Sequence, residues 1–176
     1  FFSPAGRTFT EGVARELAGE ERLLFVCGRY EGMDERCYAL ADDVLSLGDY
    51  VLTGGELACM AVTDAVVRLL PGALGDERSA QEESFSDGLL EYAQYTRPAS
   101  FEGMDVPEGL LSGDHARVDA WRRRDALVRT ARRRPDLLAT APITDEERAW
   151  YQNLVDQIDA DFVEVVAEGR NMSVDE

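Results

Sequence analysis

The sequence predicts an α/β fold with a parallel sheet, followed by a smaller, mainly helical C-terminal domain. Three observations support this fold class. Short apolar runs alternate with helical periodicities as far as Leu70, which is typical of parallel strands joined by helices. Two of these runs end in glycine-rich turns, at Gly28 and at Gly54-Gly55. From Gly88 onward an arginine-rich helical pattern replaces the alternation.

The chain begins with a predicted strand end, a helix and a buried strand. Residues 2–7 (FSPAGR) read as the end of a strand followed by a turn. Residues 9–18 have apolar side chains at helical spacing, and Gly19 is a typical helix terminator, so we predict a helix there. Residues 23–27 (LLFVC) form a continuous apolar run, which is typical of a strand covered on both faces of a parallel sheet.

Four further elements complete the predicted α/β domain. Acidic residues at its start favour a helix over residues 33–40, and residues 42–46 read as a short strand or connection. Residues 50–52 are predicted as a strand. Residues 57–70 form the clearest helix, which Pro71-Gly72 is expected to end. The residues that follow its periodicity are Leu57, Met60, Ala61, Asp64, Ala65, Arg68 and Leu69.

The second half is predicted to begin with a linker and to continue as helices. We place the α/β domain at residues 1–75, an acidic linker that orders when substrate binds at 76–87, and a helical domain with a tail at 88–176. Residues 115–134 read as an amphipathic, arginine-rich helix. Residues 144–147 (TDEE) have the pattern of a capping box, which opens a helix that extends to about Ala160.

The charge distribution limits the kinds of partner. A formal net charge of −17 argues against a general nucleic-acid binder, yet the chain has no lysine and eight of its 18 arginines lie within residues 117–134. This basic stretch is either a local RNA-binding surface or a solvated, ion-paired helix face. The three cysteines, Cys27, Cys37 and Cys59, have neither metal spacing nor a disulfide pattern, so we expect reduced core thiols and a cytoplasmic location.

Several long motifs occur in one order along the chain: CGRYEGMDER, SLGDYVLTGGELACM, DAVVRLLPGALG, SFSDGLL, YTRP and VPEGLLSGDH. With these motifs the chain resembles the bacterial tRNA (guanine-N1)-methyltransferase family, TrmD, continuously from Phe2 to Leu138. The resemblance implies a SPOUT-type sheet with a trefoil knot, the methyl donor S-adenosyl-L-methionine, a tRNA substrate and a homodimer with a composite active site. Because the first residue is not Met, we expect the chain to begin inside a longer protein, with the N-terminal part of that fold missing.

The resemblance places the methyl donor in three glycine-containing loops. Glycines there allow close backbone approach, so that uncharged N–H and C=O groups read the adenine and ribose. Tyr30 and Tyr50 either line this pocket or are ordinary half-buried aromatics. The implied donor-binding residues are Phe2, Ser3, Pro4, Gly28, Tyr30, Glu31, Leu47, Tyr50, Val51, Leu52, Gly54 and Gly55.

The implied chemistry requires a base and a cation. Guanine N1 carries a proton at neutral pH, and negative charge develops at O6 when that proton leaves. The position that matches the family's catalytic aspartate is Glu83, with Glu82 or Asp87 as alternatives. The family's arginine corresponds to Arg68, whose other interpretation is an ion pair with Asp64 one helical turn earlier.

The implied tRNA contacts lie in the second half of the chain, at Arg97, His115, Arg122 and Arg129. His115 is otherwise an exposed residue at a helix start. Gln94 stands where the family usually has His. The family is described as magnesium-dependent, but the sequence has no ligand cluster with metal spacing, so an ion is expected to bind together with the substrate.

Two other functions were weighed against tRNA methylation. One is a divergent homologue that binds RNA without catalysis, which the replacements Glu83 and Gln94 favour. The other disregards the resemblance and is a small-molecule-binding α/β domain with a helical interaction tail. Binding of the methyl donor distinguishes the latter from both RNA-directed functions.

Overall fold

The computed structural model describes residues 1–30, 32–75, 83–154 and 156. The chain divides into two compact units, Phe1–Gln81 and Glu82–Glu176. The predicted linker, residues 76–87, spans this division. The three predicted domain boundaries stay a prediction.

The N-terminal unit is an α/β structure. Its elements are β1 (Phe2–Thr8), α1 (Glu11–Ala18), α2 (Glu35–Tyr38), β2 (Leu45–Ser46) and α3 (Glu56–Val67). β1 and β2 pair in parallel, and α1 packs against α3. Gly19 ends α1, as predicted, and Thr10 caps its start, which the sequence did not predict. The α/β class with a small parallel sheet is therefore confirmed.

The pairing of β1 with β2 is irregular and depends on a glycine. Phe2 and Arg7 are both paired with Leu45, so the residues between them bulge away from the neighbouring strand. A Cβ atom at Gly6 would lie 2.5 Å from the carbonyl oxygen of Val44. Only glycine allows the two backbones to approach this closely. The bulge brings Ser3 and Pro4 out of the ladder, toward the cavity described below.

The core of this unit identifies the buried face of α3. Val13 and Ala14 of α1 and Leu45 of β2 pack with Val62 and Val66 of α3. Leu57 and Met60, which follow the helical periodicity of the sequence, lie outside this core and are 61% and 66% exposed. Because α3 is apolar almost all round, its periodicity did not define one face.

Two predicted strands are wrong. Residues 23–27 form no strand with any described segment of the chain. Leu23 and Phe25 nevertheless pack against the core. Residues 50–52 follow a tight turn in which the Tyr50 N–H donates to the Gly48 carbonyl at 2.9 Å. The helix predicted over residues 33–40 is the single turn α2. The three thiols are free, as expected, but partly exposed rather than in the core.

The C-terminal unit is mainly helical. It contains the hairpin of β3 (Ser100–Phe101) and β4 (Met104–Asp105), then α4 (Glu108–Leu111), α5 (His115–Arg133) and a 3-10 helix (Pro135–Ala139). The sequence predicted α5 but neither the hairpin nor α4. The core of the C-terminal unit consists of Leu89, Ala126, Leu127, Leu138, Ala141 and Tyr151.

Residues 145–154 are helical, and the predicted capping box at their start is confirmed. The Glu147 N–H donates to the Thr144 hydroxyl at 3.1 Å, and the Thr144 N–H donates to the Glu147 carboxylate at 2.9 Å. The predicted end of this helix near Ala160 lies outside the described residues.

Candidate active site

A cavity of about 450 Å³ in the N-terminal unit gathers the residues predicted to hold the methyl donor. Three segments that are distant in sequence form its wall: the start of β1, the turn after Cys27, and the residues between β2 and α3. Eleven of the twelve predicted donor-binding residues line this cavity. The twelfth, Glu31, lies outside the described residues.

Two of the cavity's glycine turns are joined through their backbones. The Gly55 N–H donates to the Gly28 carbonyl at 3.0 Å, and Arg29 and Gly54 form an isolated antiparallel bridge. A Cβ atom at Gly55 would lie 2.9 Å from Cα of Cys27, so the two turns touch at a point where no side chain fits. The paired turns hold bare backbone groups against the cavity.

The loop after β2 supplies the third part of the wall. Ser46 is buried, and its hydroxyl accepts a hydrogen bond from the Gly48 N–H at 3.2 Å. Gly48 has φ +143°, a conformation that side chains rarely adopt. This turn presents Tyr50 and Val51, which are 55% and 83% exposed, at the cavity. Exposed apolar side chains beside bare backbone suit a planar heterocycle.

Tyr30 is the most exposed aromatic side chain of the cavity. It is 94% exposed and has a left-handed backbone conformation, with φ +63°. Tyr30 and Tyr50 therefore both line the cavity with more than half of their surface accessible, rather than being half-buried packing residues. A left-handed conformation is energetically unfavourable for a residue other than glycine, and residues with such conformations are typical of ligand sites.

One ion pair fixes the entrance of α3. Arg29 donates to the Glu56 carboxylate at 2.7 Å, and this hydrogen bond lowers the pKa of Glu56 below its ordinary range. Behind the glycine turns, burial raises the pKa of the Cys27 thiol, with a further contribution from Cys59. A surface ion pair therefore joins the start of α3 to the turn after Gly28.

The sequence did not predict several residues that line this cavity. Met33, Glu35 and Tyr38 belong to the segment around α2. Met33 and Glu35 lie within the motif CGRYEGMDER and Tyr38 follows it by two residues, so the motif itself was the available signal. The remaining such residues are Gly32, Leu45, Ser46, Gly48 and Ala58.

The two predicted catalytic residues lie in different units. Arg68 caps the C-terminus of α3, and its N–H donates to the Asp64 carbonyl at 3.1 Å. Glu83 opens the C-terminal unit, where its carbonyl accepts from the Ser86 N–H at 3.2 Å. The alternative base Asp87 forms an ion pair with Arg123 at 2.8 Å, and Glu82 lies outside the described residues.

Several arginines of α5 make contacts within the C-terminal unit. Arg123 bonds Glu147 and Asp87, and Arg129 donates to the Glu91 carbonyl at 3.0 Å. Arg122 lies over the ring of Tyr92, with 4.6 Å between the guanidinium carbon and the ring centroid. The helix face is thus partly ion-paired, as one of the two interpretations of the basic stretch predicted. Arg97 and His115 are exposed.

Comparison with known proteins identifies the family. The model of the family described as "tRNA (Guanine-1)-methyltransferase TrmD" matches residues 1–140, which include every residue that lines the cavity. The chain belongs to the TrmD family.

Individual relatives agree with this assignment. A tRNA (guanine-N(1)-)-methyltransferase of Syntrophotalea carbinolica is 60% identical over 158 residues, which are 90% of this chain and 64% of the relative. The corresponding enzyme of Staphylococcus carnosus is 54% identical over 88% of this chain and 64% of the relative. This TrmD-family chain thus spans less than two thirds of the length of these relatives.

A second family model, that of peptidase family S49, matches residues 126–176. This match covers less than half of the chain, so it supports no assignment. Within residues 1–30, 32–75, 83–154 and 156, no group of three or more His, Cys, Asp or Glu side chains is placed to hold a metal ion. In the same ranges, no helix is both long and apolar enough to cross a bilayer.

Proposed function

We propose that this TrmD-family protein transfers a methyl group from S-adenosyl-L-methionine to N1 of the tRNA guanosine that follows the anticodon on its 3′ side. The observation that carries the proposal is the single cavity lined by eleven of the twelve predicted donor-binding residues. Relatives named tRNA (guanine-N(1)-)-methyltransferase, which are 54–60% identical to the chain over the matched residues, support it.

The donor cavity is proposed to be the knotted region of a SPOUT-type sheet. The three wall segments correspond to the three loops that the family uses for the donor. Exposed Tyr30 and Tyr50 offer flat surfaces for an adenine, and the backbone groups around Gly28 and Gly55 offer uncharged hydrogen-bonding partners. When bound, the donor supplies an electrophilic methyl group.

Glu83 is proposed as the general base and Arg68 as the stabilising cation. The Glu83 carboxylate accepts the proton from guanine N1 as the N1–methyl bond forms, and the electron pair of the broken donor bond remains on the donor sulfur. The Arg68 guanidinium stabilises the negative charge that develops at O6.

The active protein is proposed to be a homodimer in which the donor of one subunit faces the Glu83 of the other. Several apolar side chains of the N-terminal unit are exposed, among them Leu57, Met60 and Val67 of α3, at 61%, 66% and 46%. Exposed apolar side chains grouped on one element are typical of a subunit interface. Covering them with a second copy removes their apolar surface from water.

The C-terminal unit is proposed to bind the tRNA. The protein is proposed to act in the cytoplasm. Arg97 is exposed and suits bidentate contact with a phosphate, and His115 at the start of α5 lies in the same unit. Arg122 contacts Tyr92, and Arg129 contacts Glu91. These contacts hold both guanidinium groups in position, and both are proposed to contact the RNA from there. Mg²⁺ is proposed to enter with the RNA phosphates.

The proposal is tested by methyl incorporation into a tRNA transcript that carries guanosine directly 3′ of the anticodon. We expect N1-methylguanosine in this transcript and none in a transcript with adenosine at that position. Glu83→Gln is expected to lower the rate constant of transfer by about 100-fold or more, because loss of a general base typically costs 10²–10⁴. Glu108→Gln, an exposed glutamate of the same unit, serves as the matched control.

The outcomes separate the alternatives. Donor binding without methyl transfer would instead favour an RNA-binding homologue that has lost catalysis. Absence of donor binding would overturn the assignment of the cavity itself. Full activity of Glu83→Gln would remove Glu83 from the mechanism while leaving the reaction assigned.

A further inference from the structure

A second cavity of about 450 Å³ lies wholly within the C-terminal unit, and no role has been assigned to it above. The irregular segment 92–99 forms one wall. Val106, the end of α4 and the first half of α5 form the others. Its volume falls in the range of small-molecule and nucleotide sites, about 300–1,000 Å³.

The chemistry of the lining is unusual for this chain. Tyr92 and Tyr95 provide aromatic surface, Leu110 and Val118 provide aliphatic surface, and the lining also includes Arg97 and Arg122. The described residues that line the cavity include no Asp or Glu, although the chain has 35 acidic and 18 basic residues. The composition fits a ligand with a flat, largely apolar part and a negatively charged part.

Contacts within the unit hold the aromatic and amide groups in place. The rings of Tyr95 and Trp121 meet edge to face with 6.1 Å between centroids, while Tyr95 remains 49% exposed. The Gln94 amide nitrogen donates to the Glu91 carboxylate, which leaves the amide oxygen to accept from a ligand. An exposed ring held at its edge is suited to stacking.

We propose that this cavity binds an unpaired nucleotide of the substrate RNA, distinct from the guanosine that is methylated. The base stacks against Tyr95 beside the aliphatic wall, Gln94 accepts from an exocyclic amino group, and Arg97 bonds the phosphate. The inference rests on the proposed function, because that function supplies the RNA. Two arginines in a described lining that includes no Asp or Glu favour a nucleotide over a peptide segment or an uncharged apolar ligand.

The test compares RNA affinity in two matched variants of the protein. The probe is an anticodon stem-loop RNA, and its dissociation constant is measured by fluorescence anisotropy. Tyr95→Ala is expected to weaken binding about 5- to 150-fold, since stacking of one base contributes roughly 1–3 kcal/mol. Phe101→Ala removes an aromatic side chain that is 58% exposed in the same unit but does not line the cavity, and it is expected to leave affinity unchanged within about twofold.

Further variants and probes identify which feature of the RNA the cavity binds. Tyr95→Phe is expected to retain wild-type affinity, because the ring is kept. For a fully paired RNA of equal length, wild type and Tyr95→Ala are expected to have the same affinity. Adenosine or guanosine monophosphate alone is expected to bind far more weakly than the stem-loop; tight binding of the free nucleotide to the Tyr95 site would overturn the assignment to RNA.

The failure of this inference can be distinguished from failure of the proposed function. If wild type and Tyr95→Ala bind the stem-loop equally while methyl transfer proceeds, the nucleotide site is wrong and the reaction stands. If Tyr95→Ala loses RNA affinity although no methyl group is transferred, the site stands without the reaction. Calorimetric binding of the methyl donor, expected to be unchanged in both variants, shows that the N-terminal unit is folded, and an unchanged helical circular-dichroism spectrum shows the same for the C-terminal unit.

Discussion

Gly55 lies at the closest approach between two backbone segments of the donor cavity. Its N–H bonds Gly28, and its Cα faces Cys27. The sequence predicted both glycine turns, because each follows a short apolar run. Spacing did not predict that residues 23–27 and 50–52 would lack strand pairing, since pairing depends on a neighbour that is distant in sequence. The family resemblance therefore named the residues that line the cavity, whereas the residue pattern did not give the elements that carry them.

Gly55→Ala is predicted to disrupt this wall. The added methyl group would lie 2.9 Å from Cα of Cys27, so one backbone segment must move. We expect a loss of about 1–3 kcal/mol in the free energy of unfolding, as for other overpacked sites, and at least tenfold weaker donor binding. Urea denaturation and calorimetry measure the two effects.

Gly75→Ala is the matched control, because no atom of the described residues lies within 4 Å of its added methyl group. Its stability and donor affinity are expected to equal those of the wild type. Equal donor affinity in Gly55→Ala and Gly75→Ala would show that close packing of the two turns does not shape the donor site.

The helix that starts at residue 145 shows which features of an element can be predicted. Its capping box was evident because four consecutive residues carry the whole signal. The buried face of α3 was not evident, because nearly every residue of that helix is apolar and packing against α1 selects Val62 and Val66. A capping box depends only on neighbouring residues in the sequence. The buried face of a helix also depends on the surface against which the helix packs.

Glu147 links this helix to α5, and we predict a pH dependence from that link. The hydrogen bond from Arg123 lowers the pKa of Glu147. A carboxylate with a depressed pKa stabilises the fold above the pKa of the unfolded chain, and this stabilisation is lost as the pH falls through the folded pKa. Glu147→Gln keeps an N3 side chain that caps the helix but removes the charge.

We therefore expect Glu147→Gln to reduce the free energy of unfolding by roughly 0.5–1 kcal/mol at pH 7, a magnitude discounted for solvent screening. The difference from wild type should shrink below about pH 4, where glutamate ordinarily becomes protonated. Chemical denaturation across pH 3–7 measures it. Glu146→Gln, an exposed neighbour, is the control; the same pH profile for both variants would contradict the role of the Arg123 pair.

At the scale of the whole molecule, each unit supplies one part of the proposed reaction. The N-terminal unit contains the donor cavity and Arg68, and the C-terminal unit contains Glu83 and the nucleotide cavity. The sequence predicted this division of roles through the family resemblance, and a change in composition marked the approximate boundary. Composition could not show the second cavity, because segments 92–99, α4 and α5 meet only in the folded unit.

Subunit mixing tests whether a complete site needs two chains. Val51→Trp is designed to block the donor cavity, since Val51 lines it and is 83% exposed, so a larger side chain does not disturb the core. Glu83→Gln removes the base. If donor and base come from different subunits, a mixed dimer pairs the intact cavity of one chain with the intact Glu83 of the other.

After the two inactive variants are unfolded together and refolded at equal concentration, half of the dimers should be mixed, and each mixed dimer should contain one intact site. We thus expect roughly a quarter of the wild-type rate of methyl transfer, from a mixture whose components are each inactive. Refolding each variant separately and combining them afterward, without exchange, is the control. Activity no higher than the sum of the separate variants would mean that donor and base belong to the same chain.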